Sequence, residues 1–400
     1  MKFLFPIILI ASPAESQTSH AVGTCSTNLD CVDPSVQENK YIARTGVVFE
    51  QKNADNAFVF KLPMPTPPAI VAYFLPLVAT LPVMGAPHHT NSLLPYIDVG
   101  KIPAAARGIA SARIRDDTVH AARQSTDDGG QFRTICTFSH MNYDDAIVYP
   151  GQKGASHLHT YFGNTAADYT STKASIETTG NSTCSGGTAN RTGYWIPALI
   201  DTKDGTPLKP DSIMIYYKTG YIEGDYVKPF PAGLRMIAGD MKSSSSQPAI
   251  YWFCTTPTGD AQTSHGAIPV DCPVGYTITA SINFPFCWDG VNLDSPDHKS
   301  HMSWNVWNND TRKTQCPTTH PVELPMITEN IKYKVTEAGA TARWRLASDN
   351  YDKTIPGGYS LHADWFNGWD PKVLETFVKN CLQANKDCGV DVLGDGTRLY

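Results

Sequence analysis

Six of the twelve histidines in this chain fall in four short, polar, turn-rich segments. His157 and His159 stand in Ser156-His157-Leu158-His159. His298 and His301 close Asp294-Ser295-Pro296-Asp297-His298-Lys299-Ser300-His301. His320 lies between Thr319 and Pro321, and His362 stands in Leu361-His362-Ala363-Asp364. Side-chain direction in an extended chain repeats every two residues, so His157 and His159 project to one face. His298 and His301, three apart, share a face if Pro296 opens a helical turn. Imidazoles paired in this way, with Asp294, Asp297 and Asp364 alongside, suit a metal cage or a proton-transfer centre. His20, His88, His89, His120, His140 and His265 lack such settings and read as structural or surface residues.

The catalytic candidates are therefore His157, His159, Asp294, Asp297, His298, His301, His362 and Asp364, and three chemistries fit them. The first is glycan cleavage by acid and base side chains. Hydrolysis needs two carboxylates about 5–5.5 Å apart for retention or about 6.5–9.5 Å for inversion. Asp294, Asp297 and Asp364 supply them, with histidines orienting them or shuttling protons. A lyase would instead use a histidine, with Tyr161, as base beside a sugar uronate. The second is a zinc or copper centre built from His157, His159 and two of His298, His301 and His362. The third is a non-catalytic glycan-binding or cell-wall protein in which the histidines brace long loops. His320, next to Pro321, reads as such a brace or as a substrate contact.

Six of the eight tryptophans lie in the last third of the chain, several beside the histidine segments. Their rigid faces and polar edges suit stacking on sugar rings. Tyr161, Trp288, Asn292, Lys299, His320, Trp365, Asn367 and Trp369 are the candidate substrate contacts, and an extracellular polysaccharide is the expected partner. No glycine-rich phosphate loop, dinucleotide fingerprint or GxSxG elbow is present, which argues against nucleotide cofactors and a serine-hydrolase route.

The elements that must position these residues are mostly strands. Short runs rich in Ile, Val and aromatics, bounded by Gly, Pro, Asp or Asn, occur at 146–149, 194–199, 212–217, 250–253, 277–284 and 331–336. Earlier strand-like pieces occur at 46–49 and 57–61, and the Ala-rich 102–112 suggests a short helix. Only 371–380 has a convincing helical stripe, carrying Val373, Phe377 and Val378. The expected fold is mainly β, a sandwich or jelly-roll-like core with long disulfide-stapled loops and a few short helices. Gly and Pro together number 59 and charged residues are 18% of the chain, which fits a loop-rich β protein. A net charge of −6 without a basic run argues against nucleic-acid binding.

Met1 and Lys2 precede an apolar run over 3–11 and then small residues, a secretory signal pattern assigned to 1–16. That run is about half a bilayer span, so no membrane partner is expected for the mature form. Ten cysteines without a CxxC pair fit an oxidising compartment, with local loops closed by Cys25–Cys31 and Cys381–Cys388. Sequons at Asn181, Asn190 and Asn309 are compatible with glycosylation. The cluster at 127–130 marks a boundary between an N-terminal extension, 17–131, a small β-rich segment, and a main domain, 132–388. A short tail, 389–400, follows.

Six blocks in the main domain carry a resemblance. They are Pro150-Gly151 with the His157/His159 segment; Tyr194-Trp195-Ile196-Pro197; 233–240; Cys287-Trp288-Asp289-Gly290 running through to His301; Cys316 to Pro321; and Leu361 to Asp364 with Asn367-Gly368-Trp369-Asp370. In order and spacing they resemble a secreted family, common in fungi and present in bacteria. It is often joined to carbohydrate-binding WSC modules and is catalogued as a domain of unknown function. The resemblance covers roughly 132–388, and Asp145-Ala146 stands where the family pattern has Asp-Pro. It implies secretion and a carbohydrate setting but no particular reaction.

Overall fold

The computed structural model describes residues 94–400, save 118, 126–128, 221, 223–225, 261–262 and 351–353, and the backbone of three earlier strands. The chain divides into two units, Met1–Pro82 and Val83–Tyr400. In the first, Lys40–Ile42, Val48–Gln51 and Phe58–Lys61 form an antiparallel sheet in chain order. The signal pattern at 1–16 and the Cys25–Cys31 pairing lie outside the described residues.

The second unit is mainly β. Its principal strands are β1 (Arg123–Gln124), β2 (Gln131–Cys136), β3 (Phe138–Asn142), β4 (His159–Gly163), β5 (Gly193–Pro197), β6 (Ser212–Lys218), β7 (Arg235–Gly239), β8 (Ile250–Thr255), β9 (Thr277–Asn283), β10 (Met326–Lys334), β11 (His362–Phe366) and β12 (Lys386–Val390). A larger sheet runs β8-β9-β10-β6-β2-β12-β1 and a smaller one β7-β11-β5-β4-β3. All pairs are antiparallel except β12 with β2.

Alternation decides which face each sheet buries. In β6, Ile213, Ile215 and Tyr217 are fully buried while the residues between them are half-buried. They join one core with Phe162, Tyr194, Ile196, Met236, Ala363 and Trp365 from the smaller sheet. Each such aliphatic or Phe side chain contributes about 1.5–3 kcal/mol on burial, which sets the register of both sheets. The smaller sheet is buried on both faces, because loops and α1 (Lys173–Thr178) cover its outer side. The helix expected at 371–380 is α2 (Pro371–Phe377), with Pro371 in its first turn and Asp370 capping Lys372 and Val373 through its side chain. It continues as a π-helical turn over Val378–Leu382.

Two local expectations are corrected. Residues 146–149 form a turn rather than a strand, because the Asp145 carboxylate accepts from the backbone N–H of Ile147 and Val148, each at 2.8 Å. Residues 102–112 are extended rather than helical, with isolated bridges from Ile109 to Ser182 and Ala112 to Gly187. The described residues from 94 onward thus belong with the second unit, although they precede 127–130. Its later strand Ile114–Asp116 pairs with Thr397–Leu399. Disulfides join Cys136–Cys184, Cys254–Cys272, Cys287–Cys316 and Cys381–Cys388.

One strand carries a charge-capable side chain into this core. Glu329 of β10 faces inward between Ile327 and Ile331, opposite Ile215 and Ile282. It is fully buried, and neither carboxylate oxygen has a hydrogen-bond partner among the described residues. Burial pushes its pKa well above the ordinary glutamate value, so the folded chain holds it protonated. The unfolded chain ionises near the ordinary glutamate value of 4.5. Between the two pKa values the folded state binds more protons, so stability falls as pH rises. Glu329→Gln should therefore flatten the decline that sets in above about pH 5 by up to about 1.4 kcal/mol per pH unit. Chemical denaturation at several pH values reads this, and parallel curves for the two proteins would contradict it.

Candidate functional site

The site lies on the outer face of the smaller sheet. Alternation in β11 sends Ala363 and Trp365 into the core, which leaves His362, Asp364 and Phe366 on the outer side. In β4 the same rule places His159 and Tyr161 outward, and in β5 it places Trp195 there. β11 and β4 flank β5, where Trp195 pairs with both Asp364 and Tyr161 and Pro197 pairs with His159. His157, just before β4, projects to the same side as His159, while Leu158 is buried on the opposite side. The ring centroids are 4.3 Å apart for His157 and His159, 5.0 Å for His157 and His362, and 5.9 Å for His159 and His362. Although 205 residues separate His157 from His362, their rings meet edge to face.

Backbone carbonyls fix the ring orientations. His159 Nδ1 lies 3.0 Å from the Asp144 carbonyl oxygen, and His362 Nδ1 lies 2.9 Å from that of Ser360. A carbonyl only accepts, so each Nδ1 carries the proton and each Nε2 keeps its lone pair when the ring is neutral. Burial lowers the pKa of both rings to about 4 and that of His157 well below the ordinary value. Mutual repulsion among the rings adds to this for His157 and His362. All three are neutral at physiological pH.

Two carboxylates complete the arrangement. Asp364 is fully buried and Asp145 nearly so. Potential ligand atoms of His157, His159 and His362 lie within 4.8 Å of one another, as do those of Asp145, His159 and Asp364. The two groups share His159. Neither oxygen of Asp364 has a hydrogen-bond partner among the described residues, nor does Nε2 of His157 or of His159, although all four atoms are buried. Burial first, and then Asp145, raises the Asp364 pKa well above the ordinary value; burial also raises that of Asp145. Orphaned buried polar atoms are rare in folded proteins, and a cluster of them is the signature of a ligand, ion or proton-transfer site. Tyr161, stacked between His140 at 4.5 Å and Trp195 at 5.3 Å, donates its hydroxyl to the Asp144 carbonyl at 2.7 Å. It holds the same carbonyl that orients His159.

The four histidine segments do not all meet. His301 donates from Nε2 to the Arg235 carbonyl at 2.7 Å, and His320 donates likewise to the Ser300 carbonyl at 2.9 Å. Each ring's second nitrogen pairs with a hydroxyl, of Ser295 or Thr319. Both therefore brace loop backbone. His298 pairs with Asp294 at 3.0 Å, and Asp294 also bonds Arg235 at 3.3 Å. Asp297 accepts from Ser295 Oγ, Ser300 Oγ and the backbone N–H groups of Lys299 and Ser300. Those bonds lower its pKa far below the ordinary range, which suits a turn brace and not a general acid. The loop docks on β7 beside the site, and Lys299 Nζ bonds the Gly239 carbonyl at 2.5 Å.

Several candidate substrate contacts are structural in their settings. Trp365 is buried in the core with its ring 4.5 Å from that of Phe230, and Trp369 donates from Nε1 to Tyr217 Oη at 3.0 Å. Asn367 donates to the Pro231 carbonyl at 2.9 Å. Trp288 donates to the Asn292 carbonyl, and the Asn292 side chain bonds Asp289. Sequence reasoning missed Asp145 and Asp144. The available signal was the Asp144-Asp145 pair directly ahead of the Pro150-Gly151 block.

Residues 145–369 match the model of the Domain of unknown function (DUF1996). The chain belongs to this family. No curated protein and no solved structure matches the chain. The DUF1996 match begins at Asp145 and takes in His157, His159, His362 and Asp364, so the whole outer-face cluster lies within the family's domain.

Proposed function

We propose that the chain is an extracellular enzyme acting on a polysaccharide through a zinc or copper ion held by His157, His159 and His362, with Asp364 beside them. One observation carries this reading: His157, His159 and Asp364 bury lone pairs with no protein partner among the described residues, in two groups of ligand atoms, His157/His159/His362 and Asp145/His159/Asp364, that share His159. The donor set fits the ion. Three neutral imidazoles with a carboxylate alongside suit zinc and copper better than magnesium or calcium. The carbonyls of Asp144 and Ser360, bonded to Nδ1 of His159 and His362, supply the outer-shell orientation that ligating histidines need. Such an ion supplies a Lewis acid and lowers the pKa of a bound water towards about 7. The chain's own part is to keep the rings neutral by burial, fix the tautomers of His159 and His362 and place a second carboxylate, Asp145, next to Asp364.

The setting supports secretion and a glycan substrate. All eight described cysteines are paired in disulfides, as in oxidising compartments, and no described helix is long and apolar enough to cross a membrane. Trp304 and Trp307 are 41% and 61% exposed on the segment closed by Cys287–Cys316, available for sugar stacking.

A metal-free acid–base reading has its own support, because burial leaves Asp364 protonated beside neutral His159. Reducing-sugar and ultraviolet-product assays on a polysaccharide panel, with and without chelator, separate the readings. The expected result is product release that chelator abolishes and added zinc or copper restores. Release indifferent to chelator would favour the acid–base reading. Polymer binding without any release would favour a non-catalytic module.

A further inference from the structure

We infer that the centre takes an acidic saccharide whose carboxylate is received by Lys299. This deepens the proposed function and rests on its placing the reaction at His157, His159 and His362. The argument begins with how the loop bearing Lys299 is held. Asp294 bonds the Arg235 side chain and His301 bonds the Arg235 carbonyl, which fixes the loop to the outermost strand of the smaller sheet. Lys299 Nζ then reaches the carbonyl of Gly239, the residue paired with His362 on the next strand. Gly239 itself lets its strand pack closely against the strand of His362. Its φ is +84°, and a Cβ there would sit 2.6 Å from the Leu361 carbonyl and 3.0 Å from the His362 Cα. The ammonium is thus tethered one strand from a candidate metal ligand.

Among the described residues that ammonium has no carboxylate within ion-pair distance. Lys299 is exposed, and among the described residues its nitrogen meets one backbone carbonyl and no carboxylate. Of the nearby acids, Asp294 is bonded to Arg235 and His298, Asp297 to its own turn and Asp240 to the Lys242 backbone, while burial keeps Asp364 protonated. Its positive charge is felt at both His362 and Asp364. A lysine ammonium has three donors, of which the tether uses one. A fixed cation with two free donors, held one strand from the candidate metal ligand His362, selects an anion, and on a polysaccharide the natural one is the carboxylate of a uronic acid.

The test uses the full chain loaded with zinc and measures binding of galacturonate and glucuronate oligosaccharides by calorimetry. The comparison ligands are the same oligosaccharides with carboxyl groups reduced to alcohols, and a sulfated neutral oligosaccharide. One of the uronates should bind, its reduced form should bind about tenfold to a hundredfold more weakly, and Lys299→Met should lose the same factor. Lys299→Arg should keep most of the preference, and the metal content of both variants should match that of the parent. Equal binding of reduced and native forms, or a Lys299→Met variant with undiminished preference, would overturn the inference. A sulfated glycan binding as well as the uronate would overturn the assignment to carboxylate. Because metal content is read separately, a chain that binds uronate through Lys299 but takes up no zinc would sink the metal reading alone.

Discussion

His159→Ala is expected to abolish the stabilisation that zinc confers on the chain. His159 belongs to both groups of converging ligand atoms, so its loss removes the donor that joins the three-histidine set to the Asp145–Asp364 pair. An ion that binds only the folded state stabilises it by about 2.7 kcal/mol at a free concentration one hundred times its dissociation constant. An unfolding entropy of about 2.1 cal/mol/K per residue over roughly 300 residues converts this to a rise in Tm on the order of 4 °C. The parent should show that rise on addition of zinc and lose it with chelator. His159→Ala should melt at the same temperature with or without zinc. His301→Ala is the control: it removes a buried histidine that braces the Arg235 carbonyl, so it should lower the baseline Tm yet preserve the zinc-dependent rise. A zinc-dependent rise that survives in His159→Ala would contradict the assignment.

Asp349 is expected to matter almost as much without touching the centre. Its carboxylate is buried and accepts from the backbone N–H of Leu346 at 2.8 Å, of Gly358 at 2.9 Å and of Ser360 at 3.3 Å, and from Ser360 Oγ at 2.6 Å. The Ser360 carbonyl in turn holds His362 Nδ1. Asp349→Ala strands these four buried donors, each costing about 1–3 kcal/mol when left unmade, for a total loss of about 4 kcal/mol or more. The same change frees the segment that aims His362, and disturbance of such an outer partner typically weakens metal affinity about 10–100-fold. Denaturant titration and zinc titration of the same variant read the two effects separately. Lost stability with unchanged zinc affinity would show that Ser360 does not orient a ligand.

How much of this was legible in the sequence follows from how far each interaction reaches. The shared face of His157 and His159 depends only on alternation over three residues, and it is present in the structure. The strands Ser212–Lys218 and Thr277–Asn283 were visible because their inward residues are Ile, Tyr and Ala. The strand carrying His362 and Asp364 was not, because HADWF alternates polar residues under a covering loop with apolar ones in the core, and both sets are buried. That double burial also explains Trp365, whose place in the core depends on packing against Phe230 on a distant segment. Asp145 was hidden by the strand-like run after it, which its own carboxylate folds into a turn. The bracing roles of His301 and His320 rest on carbonyls of Arg235 and Ser300, partners that spacing along the chain does not reveal. The short Cys381–Cys388 loop was readable from proximity, whereas the pairing of Cys136 with Cys184 across 48 residues was not.

The central claim is that His157, His159 and His362 hold a transition metal, and equilibrium dialysis against zinc and copper followed by elemental analysis tests it most directly. The account predicts one zinc or copper ion per parent chain and none retained by His159→Ala under the same conditions. A folded parent chain that retains no zinc or copper, or a His159→Ala variant that retains as much as the parent, would contradict it.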